Sequence, residues 1–212
     1  MLLALTLAAG TYAYAGTYDG ETAGTSSVTV RTTATGATLI EKATGAINGM
    51  EMEASATLGL GANLDPTVYD GSYQSGTLDT VVTVTIRPTA ATVIANTSAG
   101  QPAIFPLKDG AQHFVVIEPG LVSGLFALPL QMQLWNYAPF LVVAPSVARA
   151  ANVELDTSAK PQRPADVPAQ DLQLSFGGPY AFTIWYDPAT LVPDEIVMPS
   201  QKLVITRVRQ GP

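Results

Sequence analysis

Along most of this chain apolar and polar residues alternate with a period of two, the spacing of strands with one face buried and one face wetted. Tyr12, Tyr14 and Tyr18 lead into Asp19-Gly20, and Val28 and Val30 then flank Thr29. Thr11–Val30 therefore predicts a hairpin that turns at Asp19-Gly20. Gly24, inside its second arm, marks a bulge or a close backbone approach. Thr38–Lys42 and Met50–Leu60 continue the pattern, separated by Gly45 and Asn48-Gly49. In the second of these, Met50 and Met52 share one face while Glu51 and Glu53 share the other. Asn63 to Thr67 reads as a turn around Asp65-Pro66. Further strands are expected at Val68–Tyr73, Thr80–Arg87, Ala91–Ala95 and Ala103–Leu107, the last entering a turn at Lys108-Asp109-Gly110. After residue 170 the texture returns in Asp171–Phe176, Tyr180–Tyr186, Asp194–Met198 and Lys202–Arg209.

Phe114–Val147 breaks the pattern, with Glu118 as its only charged residue. It exceeds the roughly 20 apolar residues that a membrane helix needs. Pro119, Pro129, Pro139 and Pro145 cut it into pieces too short to cross, and Gln131, Gln133 and Asn136 would need partners in lipid. No transmembrane span is expected. Leu121, Val122, Leu125, Phe126 and Leu128 fall near helical spacing, which predicts one or two short helical turns. Phe114–Ile117 and Phe140–Val143 read as buried strands. An apolar stretch of this kind is either core or the lining of a cavity. On the cavity reading the ligand-binding residues are Leu121, Leu125, Phe126, Met132, Leu134, Trp135 and Phe140.

Between Arg149 and Gln170 the composition changes, and Pro161, Pro164 and Pro168 among charged residues predict an exposed, poorly ordered loop over 156–170. The chain is otherwise expected to be a single β-rich domain over 1–212. Leu2–Ala9 is a short apolar run followed by small residues, so residues 1–10 are read as a possible signal remnant.

Composition narrows the chemistry. Thr, Val, Ala and Gly dominate the first hundred residues and long helical patterns are missing, which favours a mainly β fold. The net charge is −7 with no basic cluster, so no nucleic-acid partner is expected. The absence of cysteine removes disulfides, thiolate nucleophiles and zinc–thiolate sites. His113 is the sole histidine and no Gly-x-Ser-x-Gly elbow accompanies it, so it reads as an ordinary strand residue. Asp156-Thr157-Ser158 is similar to an aspartic-protease motif but lacks its glycine and a second carboxylate, so Asp156 reads as a loop residue. Asp70 and Asp79 with neighbouring loop carbonyls could loosely bind calcium, but they do not match an EF-hand loop. Neither a metal nor a cofactor is expected, and an enzyme is the least favoured class.

Phe182–Val208, with its Trp185-Tyr186-Asp187-Pro188-Ala189-Thr190 turn, resembles the closing hairpin of bacterial periplasmic proteins related to the lipoprotein carriers LolA and LolB. Tyr14–Val30, with Gly20 and Gly24, resembles the first hairpin of exported proteins in that group. The resemblance implies a strongly curved antiparallel sheet, or half-open β-barrel, with short helical turns from the central stretch against its concave face. It also implies that lipid acyl chains are held there. The chain lacks the lipobox cysteine and the long interior helices of the carriers. Two functional classes follow. The first is an exported, periplasmic or extracellular, non-enzymatic binding protein for an apolar small molecule or lipid. The second is a structural or interaction subunit whose apolar stretch is covered by protein partners in a cell-envelope assembly.

Overall fold

The structure is a computed structural model and describes residues 6–47, 50–76, 82–89, 91–98, 100–108, 112–118 and 120–209. Eight strands follow one another as antiparallel neighbours: β1 (Gly10–Tyr18), β2 (Glu21–Thr33), β3 (Gly36–Ile47), β4 (Met50–Leu60), β5 (Pro66–Ser75), β6 (Val82–Pro88), β7 (Thr92–Thr97) and β8 (Ala103–Pro106). An insert with its own three-stranded sheet follows: β9 (Phe114–Val116), α1 (Ser123–Phe126), α2 (Leu128–Leu134), β10 (Phe140–Ala144) and β11 (Arg149–Val153). The chain closes with β12 (Leu172–Phe176), β13 (Phe182–Tyr186), β14 (Pro193–Met198) and β15 (Leu203–Val208). Because β15 pairs antiparallel with β1, from Ala13↔Val208 to Tyr18↔Leu203, both series join into one sheet of twelve strands. That sheet is curved and antiparallel, and it is not closed: β12 and β8 are its edges.

Local sequence explains the hairpins. Asp19 and Gly20 both adopt positive φ (52° and 85°), the backbone of a two-residue turn whose twist matches the flanking strands. Gly24 and Gly45 lie opposite each other on β2 and β3. A Cβ on Gly24 would stand 2.3 Å from the Thr44 carbonyl oxygen, and one on Gly45 would stand 2.1 Å from that of Ala23. The two strands thus approach more closely than side chains allow, and Gly45 is interior to β3 where a strand break was expected. The turns expected at Asn48-Gly49 and Lys108-Asp109-Gly110 fall partly or wholly outside the described residues, as do Thr80, Asp79 and Pro119.

The insert fills the concave side. Its β9 and β10 pair in parallel, so the chain between them must cross over, and the two short helices are that crossover. Pro129 sits in the first turn of α2, where a missing N–H costs nothing, so it starts a helix instead of ending one. Gly124 is the contact point of α1 with β9, since a Cβ there would stand 1.5 Å from the Val116 carbonyl oxygen. Inward-facing Val28, Leu39, Leu58, Ile86 and Val93 meet Leu125, Leu128, Leu130 and Met132 in one continuous core. Among the described residues no helix is long and apolar enough to cross a membrane.

Two expectations need amending. The strand β11 was not foreseen, because Arg149–Val153 lies where the composition turns polar and its partner β10 is supplied by the insert. The 156–170 loop has no helix or strand, yet it lies down on the convex face: Val167 is buried and the Arg163 guanidinium stacks 4.4 Å above the Trp185 ring. At the amino terminus Leu7 is buried in the core and the Tyr12 hydroxyl donates to the Ala8 carbonyl (3.0 Å). Residues 1–5 lie outside the described residues.

Candidate functional site

Six of the seven residues expected to bind ligand are buried: Leu121, Leu125, Phe126, Met132, Trp135 and Phe140. They pack in two groups. Leu125 and Phe126 come from α1, and the Phe126 ring tilts against Tyr12 of β1 with centroids 5.1 Å apart. Trp135 and Phe140 belong to an aromatic series that continues through Phe176 to Phe182. Leu134 stands apart, 42% exposed at the end of α2. These side chains fill the sheet's concavity, and none of them lines the apolar cavity that the structure does contain.

That cavity, about 70 Å³, lies beside the insert on the concave face. Two rows of inward-facing positions form its floor. One runs Tyr14, Ser26, Ala43, Ala54 across β1 to β4, and the next runs Gly16, Gly24, Gly45, Met52. Ile205 of β15, paired with Gly16, bounds one side, and Gly120 and Val122 of the insert bound another. The reason for an opening here is the size of the inward side chains. On β3 the inward series runs Leu39, Glu41, Ala43, Gly45, and on β4 it runs Leu58, Ala56, Ala54 before Met52. Large residues face the insert, and small ones face the gap beyond it. Alternating small residues on long strands are the signal that would have found this groove.

Buried acids line the seam between sheet and insert. Glu41, the inward residue between Leu39 and Ala43, is fully buried. Its carboxylate accepts from the backbone N–H of Val122 (2.9 Å to each oxygen) and of Ser123 (2.7 Å), the entry to α1. Burial raises its pKa, and those amide bonds pull part of the way back. Glu118 is also buried; one oxygen accepts from the Ser146 N–H (2.9 Å) and the other has no partner. Burial pushes it up to about 7 against the lowering effect of Ser146. Tyr69 and Tyr73 of β5 fold toward each other over Gly71 and join hydroxyl to hydroxyl, and burial raises both.

The far end of the insert is tied by the Asp65-Pro66 turn. Gln131 Nε2 donates to the Leu64 carbonyl (2.7 Å) and Trp135 Nε1 to that of Asn63 (3.0 Å). His113 stacks on Trp135 (4.4 Å, 7°), with its Nδ1 2.6 Å from Asp65 Oδ1. This Asp–His contact joins sheet to insert. Asp156 accepts from the Ser158 N–H and hydroxyl and from the Ala159 N–H, which caps its own turn and lowers its pKa. Asp70 pairs with Arg87 (3.0 Å). At the carboxy-terminal end of the sheet Asp194 accepts from Arg207 (3.2 Å) and Arg209 (2.6 Å). The Asp171 carboxyl is buried there with neither oxygen hydrogen-bonded, and burial together with the Asp194 carboxylate pushes it up to about 6. No group of three or more metal-ligating side chains gathers among the described residues.

No protein-family model matches the chain, and the comparisons with curated proteins and with solved structures found no match either.

Proposed function

We propose that the chain is a non-enzymatic binding protein that seats an apolar group, from a lipid or another apolar small molecule, on the uncovered part of its concave face. The observation that carries this reading is the groove over Ala43, Gly45 and Ala54, walled by Val122 and Ile205, with apolar atoms on its floor. The resemblance of Phe182–Val208 to the lipoprotein-carrier group supports the same class. Periplasmic or extracellular placement belongs to the proposal and rests on that resemblance and the apolar Leu2–Ala9 run.

Volume limits what the groove holds. At about 70 Å³ it is roughly half the ~150 Å³ of a cavity that admits benzene. It takes the end of a chain, not its length. Three methylenes buried at about 0.8 kcal/mol each contribute roughly 2.4 kcal/mol, below the ~4–15 kcal/mol cost of association. Useful affinity therefore requires the rest of the ligand to lie along the open face, because the groove alone binds weakly.

Mass spectrometry of an organic extract of natively purified protein tests the reading. A stoichiometric apolar molecule, absent from the Ala54→Phe variant, supports it. Retention of the same molecule by a folded Ala54→Phe protein rejects the groove as the site.

A second reading is favoured by one observation. The sheet is open at β8 and β12, and Ile104 on β8 is 64% exposed, with Leu172 on β12 half exposed. Unpaired edges with apolar side chains suit strand addition by a protein partner in an envelope assembly. Multi-angle light scattering separates the two, because a monodisperse monomer goes against the assembly reading.

A further inference from the structure

Gly120 and Val122 are at once a wall of the groove and the entry to the insert's first helix. Two buried acids set how firmly that wall is held. Glu41, from β3, binds it by the amides of Val122 and Ser123. Glu118, on the insert, lies just ahead of it, and its backbone carbonyl accepts the Leu121 N–H (3.1 Å) in a turn. Glu118 and the wall are thus joined through a single hydrogen-bonded turn.

We infer that the Gly120–Ser123 wall is a proton-controlled gate: it is seated while Glu118 is neutral and released from β3 when Glu118 ionises. The inference rests on the groove reading for its function, but not for its structural basis. A carboxyl that is 3% exposed, with one oxygen unpartnered, is compatible with its neutral form, which keeps one acceptor on the Ser146 N–H. The charged form needs a cation or several donors, and among the described residues neither Glu118 nor Glu41 forms an ion pair. The titratable groups facing them are phenols that burial keeps neutral, and they supply no positive charge. Tyr69 and Tyr73 on β5 feel both carboxylates, and Tyr14 on β1 feels Glu41. Ser146, beyond β10, supplies the only donor to Glu118 among these neighbours. Ionised Glu118 would thus be a buried carboxylate with its donors from Ser146 alone and no cation, one turn ahead of the segment that Glu41 holds. Displacing the wall hydrates Glu118 and widens the groove toward the size an acyl chain needs.

Burial pushes Glu118 to about 7, which places the change near neutrality. Amide hydrogen exchange of Val122 and Ser123 reads the gate without any ligand. Between about pH 5.5 and about pH 8.5 their protection, corrected for intrinsic exchange, should fall about tenfold or more, while the Leu39 amide on β3 does not follow. Glu118→Gln, equal in size and never charged, should hold both amides protected at both pH values. Equal protection at both pH values in the wild type, or the same loss in Glu118→Gln, overturns the gate. The apolar fluorophore N-phenylnaphthylamine then reads the groove separately. Binding that strengthens with pH in wild type and not in Glu118→Gln supports the gate controlling the site. Exchange that loosens with no fluorophore bound at either pH leaves the gate standing and rejects the groove reading. Equal binding at both pH values breaks the link between them.

Discussion

Replacing Phe126 by alanine separates a packed core from a ligand-lined cavity. The ring is fully buried on α1, tilted against Tyr12, and surrounded by a continuous apolar cluster. The substitution removes six buried ring carbons, and at about 0.8 kcal/mol per methylene the transfer loss alone approaches ~5 kcal/mol. Partial collapse of the helix onto the sheet recovers some of this, so the expected loss is about 3–5 kcal/mol. For a chain of this size each kcal/mol moves Tm by roughly 2–4 °C, so the midpoint should drop by roughly 6–20 °C. Urea unfolding at constant pH measures it, with the midpoint shifted and the slope unchanged. A loss under about 1 kcal/mol would refute the reasoning. It would mean that Phe126 borders space the native protein leaves open, and that the ligand site lies under α1 instead of beside it.

Other outcomes follow from the same packing. Glu118 binds a proton in the folded state up to about pH 7 but releases it near 4.5 when unfolded, so its contribution to stability is full below 4.5 and lost as pH rises through 7. The difference corresponds to about 3 kcal/mol, and Glu195, which burial and Asp166 also push to about 7, acts in the same direction. Chemical denaturation from acid to mildly alkaline pH should show this decline, and Glu118→Gln should flatten it in part; a stability that rises over that range would contradict it. Gly124→Ala should destabilise strongly, because α1 would have to leave the Val116 carbonyl, and thermal melts of this variant against Gly120→Ala measure the difference. Trp135→Ala loses its bond to Asn63 and its stack on His113 and should cost about 3–5 kcal/mol in urea, with fatty-acid affinity unchanged if the groove is the site.

What could be read from the chain without its fold follows from local rules. Period-two alternation and turn residues such as Asp19-Gly20 specify strands, because side chains on a pleated strand alternate whatever lies across from them. The same reasoning placed the helical turns and the two buried strands of Phe114–Val147, since those apolar runs had to be covered by something. Which side of that stretch was left uncovered could not be read this way. Leu125, Phe126 and Trp135 look like ligand contacts and like core in equal measure, and only the sheet wrapped around them decides. The groove needs Gly24, Gly45 and Ala54, which lie on three successive strands and are thirty residues apart at their extremes, brought side by side by register. Glu41 and Asp65 were equally silent: one reads as a polar strand residue and the other as a turn. Their roles come from amides and an imidazole that lie 48 or more positions away in sequence and meet them only in the folded chain. Strand propensity and turn chemistry are properties of neighbouring residues, whereas a cavity is defined by what distant residues fail to fill.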